Sequence, residues 1–251
     1  MKLTILGSGS FLPDKKRNCS GYLLDIGDET VLLDGGSGTL RQVVRAERSV
    51  LEIQRVFYSH FHLDHIADFL PLLFTRKYYK PQRPAAPLYI HAHPDFDYYF
   101  DHLTDIFEKW IVDPEYPTYF KPITPGIHEL SGYHIQVFPS NHTPESLMFR
   151  FTDSNDKSLL YTGDVDLDER LIEASRNVDL LLIECGNLSD IPVAGHMDPE
   201  KIRSLIQSAK PKKIVLTHLP PEVEDLDLVA QFGVSQAERI TVAQDFMMFN
   251  L

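Results

Sequence analysis

The stretch SHFHLDH, Ser59 to His65, packs three imidazoles and a carboxylate into one short piece of chain. It directly follows the apolar run Val56-Phe57-Tyr58. That run reads as a buried strand over Arg55–Tyr58. His60 and His62 stand two residues apart, whereas a helical metal pair uses an i, i+4 spacing. The spacing therefore predicts a tight loop at a strand end that aims several side chains inward. Such loops are where a rigid scaffold gathers functional groups.

Outward from this point the same pattern recurs. Pro139-Ser140-Asn141-His142 follows the strand-like His134–Phe138. Thr162-Gly163-Asp164 follows Ser158–Tyr161, and Leu216-Thr217-His218 closes Lys213–Leu216. Each places a donor just past an apolar strand. The inventory is four or five imidazoles, two carboxylates and no thiolate, which suits Zn²⁺, Mn²⁺ or Fe²⁺ in a mixed nitrogen/oxygen site. By contrast His91, His93, His102, His128 and His134 read as surface or satisfied core residues.

Further strands are expected at Leu3–Leu6, Tyr22–Ile26, Thr30–Leu33, Leu88–Ile90, Leu147–Phe151 and Leu180–Ile183, with one more near the C-terminus. Helices are expected at Gly38–Glu47, Ala67–Tyr79 and Asp95–Ile111, with a helical stretch at Glu222–Phe232. Another runs over Pro199–Ala209, with Asp198 as N-cap and Pro199 at its first position. The aromatic face of Asp95–Ile111 reads as core packing, with a substrate wall or a dimer contact as alternatives. Strands and helices are interspersed with no Ser/Gly-rich linker. This predicts an α/β architecture of buried sheets covered by helices, in a single domain over residues 1–251.

Composition bounds the function. The chain has 251 residues, 43% hydrophobic and 24% charged, and a formal charge of −12. An acidic balance argues against a broad nucleic-acid-binding surface. Cys19 and Cys185 make neither a disulfide framework nor a thiolate zinc site, so a reducing cytoplasm is the expected location. No apolar run approaches the ~20 residues of a membrane span. Met1 to Leu6 leads straight into a strand pattern, and no secretory signal is expected. One basic stretch, Arg76-Lys77-Tyr78-Tyr79-Lys80-Pro81-Gln82-Arg83, either binds phosphate and stacks bases or forms a solvated helix end.

His60-x-His62-x-Asp64-His65, with His142, Asp164 and His218 following in that order, resembles the metal motif of the metallo-β-lactamase fold. The resemblance covers essentially the whole chain. It implies a four-layer αββα sandwich, two mixed β-sheets face to face between helices, with metals at one edge. Carried over, His60, His62 and His142 hold one divalent ion, Asp64, His65 and His218 hold a second, and Asp164 bridges. Zinc is the expected metal, with manganese or iron as alternatives. Two metals roughly 3.5–4 Å apart can share one hydroxide and stabilise both attacking and leaving oxygens. Asp64 is either a ligand only or also a base. Asp34, ending Leu32-Leu33-Asp34, becomes an acceptor that orients the histidine loop, as ligand imidazoles commonly need.

Leu6-Gly7-Ser8-Gly9-Ser10, Pro13, Arg17-Asn18-Cys19-Ser20, Leu33 to Thr39 and Gln42 together are similar to the opening of the ribonuclease Z group. That group comprises the tRNA 3′-processing enzymes and their phosphodiesterase relatives. Glu184 and Gly195-His196-Met197-Asp198 resemble the Glu and His pair that this group adds to the metal ligands. Phosphodiester cleavage expels an alkoxide that wants a proton, and a histidine kept protonated by a carboxylate supplies it. The expected activity is hydrolysis of a phosphodiester, a small or cyclic nucleotide first, with His196 as general acid beside Glu184. The interval from His142 to Asp164 leaves no room for the long arm of tRNA-binding members, and Leu219-Pro220-Pro221-Glu222 departs from their serine, arginine and tyrosine. A tRNA 3′-end endonuclease acting on RNA is therefore the nearest rival. An iron-dependent oxidoreductase of the same fold and a non-catalytic binding module follow. A homodimer is expected by resemblance only, and no membrane partner.

Overall fold

The computed structural model describes residues 1–79, 86–188, 193–233 and 238–251. Six strands build the first sheet: β1 (Lys2–Gly7), β2 (Gly21–Ile26), β3 (Glu29–Gly35), β4 (Ile53–Phe57), β5 (Leu88–Ala92) and β6 (Thr118–Pro122). Seven build the second: β7 (Gly126–Leu130), β8 (Tyr133–Pro139), β9 (Leu147–Asp153), β10 (Ser158–Tyr161), β11 (Leu180–Glu184), β12 (Lys213–Thr217) and β13 (Ile240–Val242). The last strand, β14 (Met248–Asn250), returns to pair antiparallel with β1, so the first sheet also has seven strands. Both halves share one plan. Antiparallel pairing runs through β1-β2-β3 and β7-β8-β9-β10, then parallel pairing through β3-β4-β5-β6 and β10-β11-β12-β13.

Side chains alternate across a strand, so one apolar run can serve two cores. On β11, Leu180 and Leu182 enter the core between the sheets, while Leu181 and Ile183 enter the core beneath the helices α5 (Glu169–Ser175) and α6 (Pro199–Ala209). On β3, Val31 and Leu33 face the other sheet, while Leu32 faces α1 (Thr39–Arg45), α3 (Phe69–Tyr78) and α4 (Phe96–Ile111). Three cores separate four layers, so the expected αββα sandwich stands. A four-residue helix, α2 (Leu63–Ile66), links β4 to α3.

Three expectations need correction. Glu222–Phe232 holds no α-helix; it forms two 3₁₀ turns, Pro221–Asp225 and Val229–Phe232. Pro220 and Pro221 remove backbone donors at its start, and only Val223, Leu228 and Phe232 are buried, which is too sparse for a helical stripe. Strands β6 and β7 and helix α5 were not anticipated. β6 and β7 lie at sheet edges and carry half-exposed, mixed residues with no clean alternation. Finally, the aromatic face of α4 divides. Phe96 is buried on Tyr58 and Phe69, whereas Ile106 is exposed, as are Phe107 and Trp110, which share a groove with Phe74 of α3.

The basic stretch also resolves in part. Arg76 is buried and donates to the carbonyl oxygens of Ile53 and Ala86, so it is structural. Lys77 donates to the Val112 carbonyl oxygen at 2.6 Å. Lys80 to Arg83 lie outside the described residues. Among the described residues, no helix is long and apolar enough to cross a membrane.

Candidate metal centre

In parallel sheets the carboxyl ends of the strands open onto loops, and ligands bind there. β3 ends at Asp34 and Gly35, and β4 runs into the His60 loop. In the other sheet, β8 precedes His142, β10 precedes Asp164, β11 ends on Glu184 and β12 precedes His218. These strands bring all of the expected donors to one edge of the sandwich. Two of the positions hold left-handed backbone that non-glycine residues rarely adopt: Asp34 at φ 51° and His218 at φ 54°. Strain of this sort is kept where surrounding packing enforces it, commonly at functional sites.

The ligand atoms converge in two overlapping sets. His60, His62, His142 and Asp164 present one donor each within 4.8 Å of one another, and so do Asp64, His65 and His218. Asp164 spans both. Its Oδ2 lies 3.7 Å from His60 Nε2, 3.8 Å from His142 Nε2 and 3.6 Å from His218 Nε2, and its Oδ1 lies 3.3 Å from His65 Nε2. Asp64 Oδ2 is 3.5 Å from His65 Nε2 and 3.9 Å from His218 Nε2.

Partners in the protein orient four of the five rings. The Nδ1 of His60 meets Ser59 Oγ at 3.0 Å, that of His65 meets Asp34 Oδ2 at 2.6 Å, that of His142 meets the Gly195 carbonyl at 2.9 Å, and that of His218 meets Ser20 Oγ at 3.1 Å. In each case Nε2 faces the centre, where that of His142 comes 3.2 Å from His62 Nδ1. Asp34 is not free to ligate, because it accepts from Ser59 N, Ser59 Oγ, His65 Nδ1 and Tyr161 Oη. It orients the loop, as expected. Ser59, Ser20 and Tyr161 were not anticipated. Ser59 and Ser20 stand inside motifs already singled out, but a serine says nothing alone about which ring it will meet.

Burial lowers the His60 imidazole well below its usual range, and neighbouring His65 adds to this. Burial also opposes charge on Asp164, yet His218 and His65 hold its carboxyl well below the usual carboxylate range. Burial opposes charge on His65 too, yet Asp164 and Asp34 raise its imidazole well above the usual range. A metal there displaces a proton from His65, while His60 and Asp164 already have the ligating form. Fit to a metal pair rests on a further observation. His60 Nε2, His65 Nε2 and Asp164 Oδ1 are buried without a hydrogen-bond partner. Leaving buried polar atoms unpaired costs free energy, so these three imply a cation among them.

Glu184 and His196 sit beside this cluster. His196 Nδ1 is 3.0 Å from Glu184 Oε1 and 4.0 Å from Asp164 Oδ2. Glu184 is buried and also accepts from the backbone N–H of Val165 and Gly186. Its hydrogen bond holds the His196 imidazolium up to about 9. His196 therefore carries a proton at neutral pH. His62, Asp64, Asp164, His196 and His218 open onto a cavity of about 850 Å³, walled by Phe11, Leu12, Leu188, Val193 and Leu226. None of His91, His93, His102, His128 and His134 belongs to a metal-competent group among the described residues. His91 instead stacks on Phe57 at 4.4 Å.

Comparisons with known proteins agree with this geometry. The Bacillus subtilis protein named probable metallo-hydrolase YhfI is 29% identical over 233 residues, spanning 88% of this chain and 87% of that one. Its crystal structure, titled as a metallo-β-lactamase fold protein, superposes with a TM-score of 0.82 at 26% identity over 99% of both chains. Ribonuclease Z of Thermococcus sibiricus is 24% identical, covering 100% of this chain and 96% of its own. The short form of human tRNase Z shares the fold with a TM-score of 0.80 at 20% identity, covering 100% and 99%. The protein is thus a metallo-hydrolase of the metallo-β-lactamase fold, and that fold implies a divalent metal at the clustered His and Asp residues. Residues 1–240 match the family described as anti-Pycsar protein Apyc1, and with nearly the whole chain matched, this protein belongs to that family.

Proposed function

We propose that the centre hydrolyses a phosphodiester, with a small or cyclic nucleotide as substrate. The observation that carries this reading is His196, hydrogen-bonded through Nδ1 to the buried Glu184, 4.0 Å from Asp164 and open to the cavity. A thioester expels a thiolate that leaves without a proton, whereas an alkoxide leaving group needs an acid. The cavity volume lies within the range of small-molecule sites, and its apolar wall suits a nucleobase. Among the relatives one is named ribonuclease Z and one tRNase Z. Here the span between His142 and Asp164 is filled by β9, β10 and their turn, which disfavours a long RNA.

In this reading His60, His62 and His142 hold one divalent ion, Asp64, His65 and His218 hold the second, and Asp164 lies between. When bound, the pair supplies Lewis acidity at the phosphoryl oxygens and lowers the pKa of water toward about 7. The chain's own groups do the rest. Asp64 and Asp164 orient the attacking water by its protons. As its oxygen bonds to phosphorus, one of its protons passes to the Asp64 carboxylate and the bond to the leaving oxygen breaks. His196 gives the Nε2 proton to that oxygen, while Glu184 keeps the Nδ1 proton fixed. The wall of Phe11, Leu12 and Leu226 excludes water from the far side. The test is hydrolysis by the zinc- or manganese-loaded protein of cyclic nucleotides, linear dinucleotides, an aryl phosphodiester and precursor tRNA. Linear mononucleotide from a cyclic substrate is the expected product. Cleavage of precursor tRNA alone, or no phosphate ester at all, overturns the reading.

A further inference from the structure

Lys201 sits in the first turn of α6, where Asp198 Oδ1 caps its backbone N–H at 2.8 Å. A cation there opposes the helix dipole, so local propensity does not explain it. Its side chain turns back instead. Lys201 Nζ donates to the carbonyl oxygen of His196 at 2.8 Å and lies 2.5 Å from Asp166 Oδ1. Asp166 Oδ2 accepts from the Gly195 N–H at 3.0 Å, and the Asp166 N–H donates to the carbonyl of Asn141. The Gly195 carbonyl in turn accepts from His142 Nδ1. Gly195 stands at φ 84°, and a Cβ on it would come within 3.0 Å of that same Nδ1. One ion pair therefore ties together three segments that meet only at the centre: Asn141–His142, Asp164–Asp166 and Gly195–His196. Neither Lys201 nor Asp166 lines the cavity. Both side chains are about four-fifths buried, at 22% and 19% exposed, so the pair is less screened than one in open solvent.

We propose that Lys201 and Asp166 form a latch that sets the position of the proton donor His196, Lys201 being a positioning residue rather than a catalytic one. The consequence for activity rests on the phosphodiesterase reading above; the consequence for the loop does not. With the latch cut, His196 loses the anchor on its carbonyl and Gly195 loses the one on its N–H. Glu184 holds only the ring, and the remaining bonds to the Gly195 and Met197 carbonyls leave the Gly195 N–H and the His196 carbonyl unheld. Proton delivery then suffers more than metal binding, since among the expected ligands with a described aiming partner only His142 leans on this loop, through the Gly195 carbonyl.

The test compares wild type with Lys201→Met, Lys201→Arg and Asp166→Asn in the zinc-loaded full chain. Amide hydrogen exchange over residues 193–198 is read first, and it needs no substrate. Faster exchange in Lys201→Met and Asp166→Asn, with Lys201→Arg near wild type, is expected. Rates are then taken on a 3′,5′-cyclic nucleotide, whose leaving alkoxide needs a proton, and on bis(p-nitrophenyl) phosphate, whose phenolate leaves unaided. A defect in general acid placement lowers kcat on the cyclic nucleotide by roughly 10- to 100-fold, changes KM little and slows the aryl ester far less. Unchanged exchange overturns the latch, and so does a parallel loss on both substrates with the metal content intact. If the wild type cleaves no cyclic nucleotide, the substrate proposal falls while the exchange result still decides the latch.

Discussion

At the scale of single residues, the site separates groups that would touch substrate or metal from groups that aim them. His196→Ala removes the proton donor but no expected ligand. Its kcat on a cyclic nucleotide should fall by about 10²–10⁴-fold, with metal content per chain unchanged by elemental analysis. Asp34→Asn does the reverse. An amide at that position turns one acceptor into a donor facing Ser59, His65 Nδ1 and Tyr161 Oη. Metal affinity measured by competition with a chelating dye should weaken by ~10–100-fold, with the fold retained by circular dichroism. The expected ligands were legible in sequence because imidazole and carboxylate at strand ends have few other uses. Their aiming partners were not, since Ser20 meets His218 across 198 positions of chain.

At the scale of elements, the approach of two loops decides the second half of the centre. Helix α2, which carries Asp64, packs against the Gly35-Gly36 turn that ends β3. A Cβ on Gly36 would lie 1.9 Å from the Asp64 carbonyl oxygen and 2.6 Å from Cys19 Cβ. Both neighbours are fixed by their own backbone. Gly36→Ala should therefore push Asp64 out of register, lowering stability by about 1–3 kcal/mol. The metal count should drop from two toward one per chain, read by native mass spectrometry. Retention of both metals would refute the assignment of Asp64. Element prediction succeeded where strands are buried on both faces and failed at edges. β6, β7 and the Pro220–Phe232 segment carry weak patterns because solvent, not a core, covers one side. The exposed outer turns of α4 make the same point: 3/4 spacing marks an amphipathic face but does not say what covers it.

At the scale of the whole molecule, charge burial links the fold to metal and to pH. His60 Nε2, His65 Nε2 and Asp164 Oδ1 are unpaired in the folded chain alone. Chelation should lower the thermal midpoint, and zinc at a hundredfold over its dissociation constant should restore ~2.7 kcal/mol. The shift should shrink in His62→Ala when followed by scanning calorimetry. Away from the centre, burial first and then the Arg55 charge hold His91 down to about 3, against an ordinary 6.5. Between those values the unfolded chain binds a proton that the folded chain refuses. Stability is thus fully present above pH 6.5 and is lost as pH falls. The loss from this one group should reach about 2 kcal/mol at pH 5. Urea unfolding at pH 7 and pH 5 checks it, and His91→Gln should flatten the slope by that amount.

From residue order alone followed the α/β class, the sandwich implied by family resemblance, and the seven donors that converge at one edge of the sheets. These are carried by local signals: apolar runs, turn residues, and donors set just past strands. Only the tertiary structure decided which nitrogen of His60, His65, His142 and His218 faces inward, which groups meet Asp34, and that Lys201 reaches back to Asp166 and His196. Hydrogen-bond geometry depends on the relative placement of strands distant in the chain, and periodicity along one strand carries no information about it.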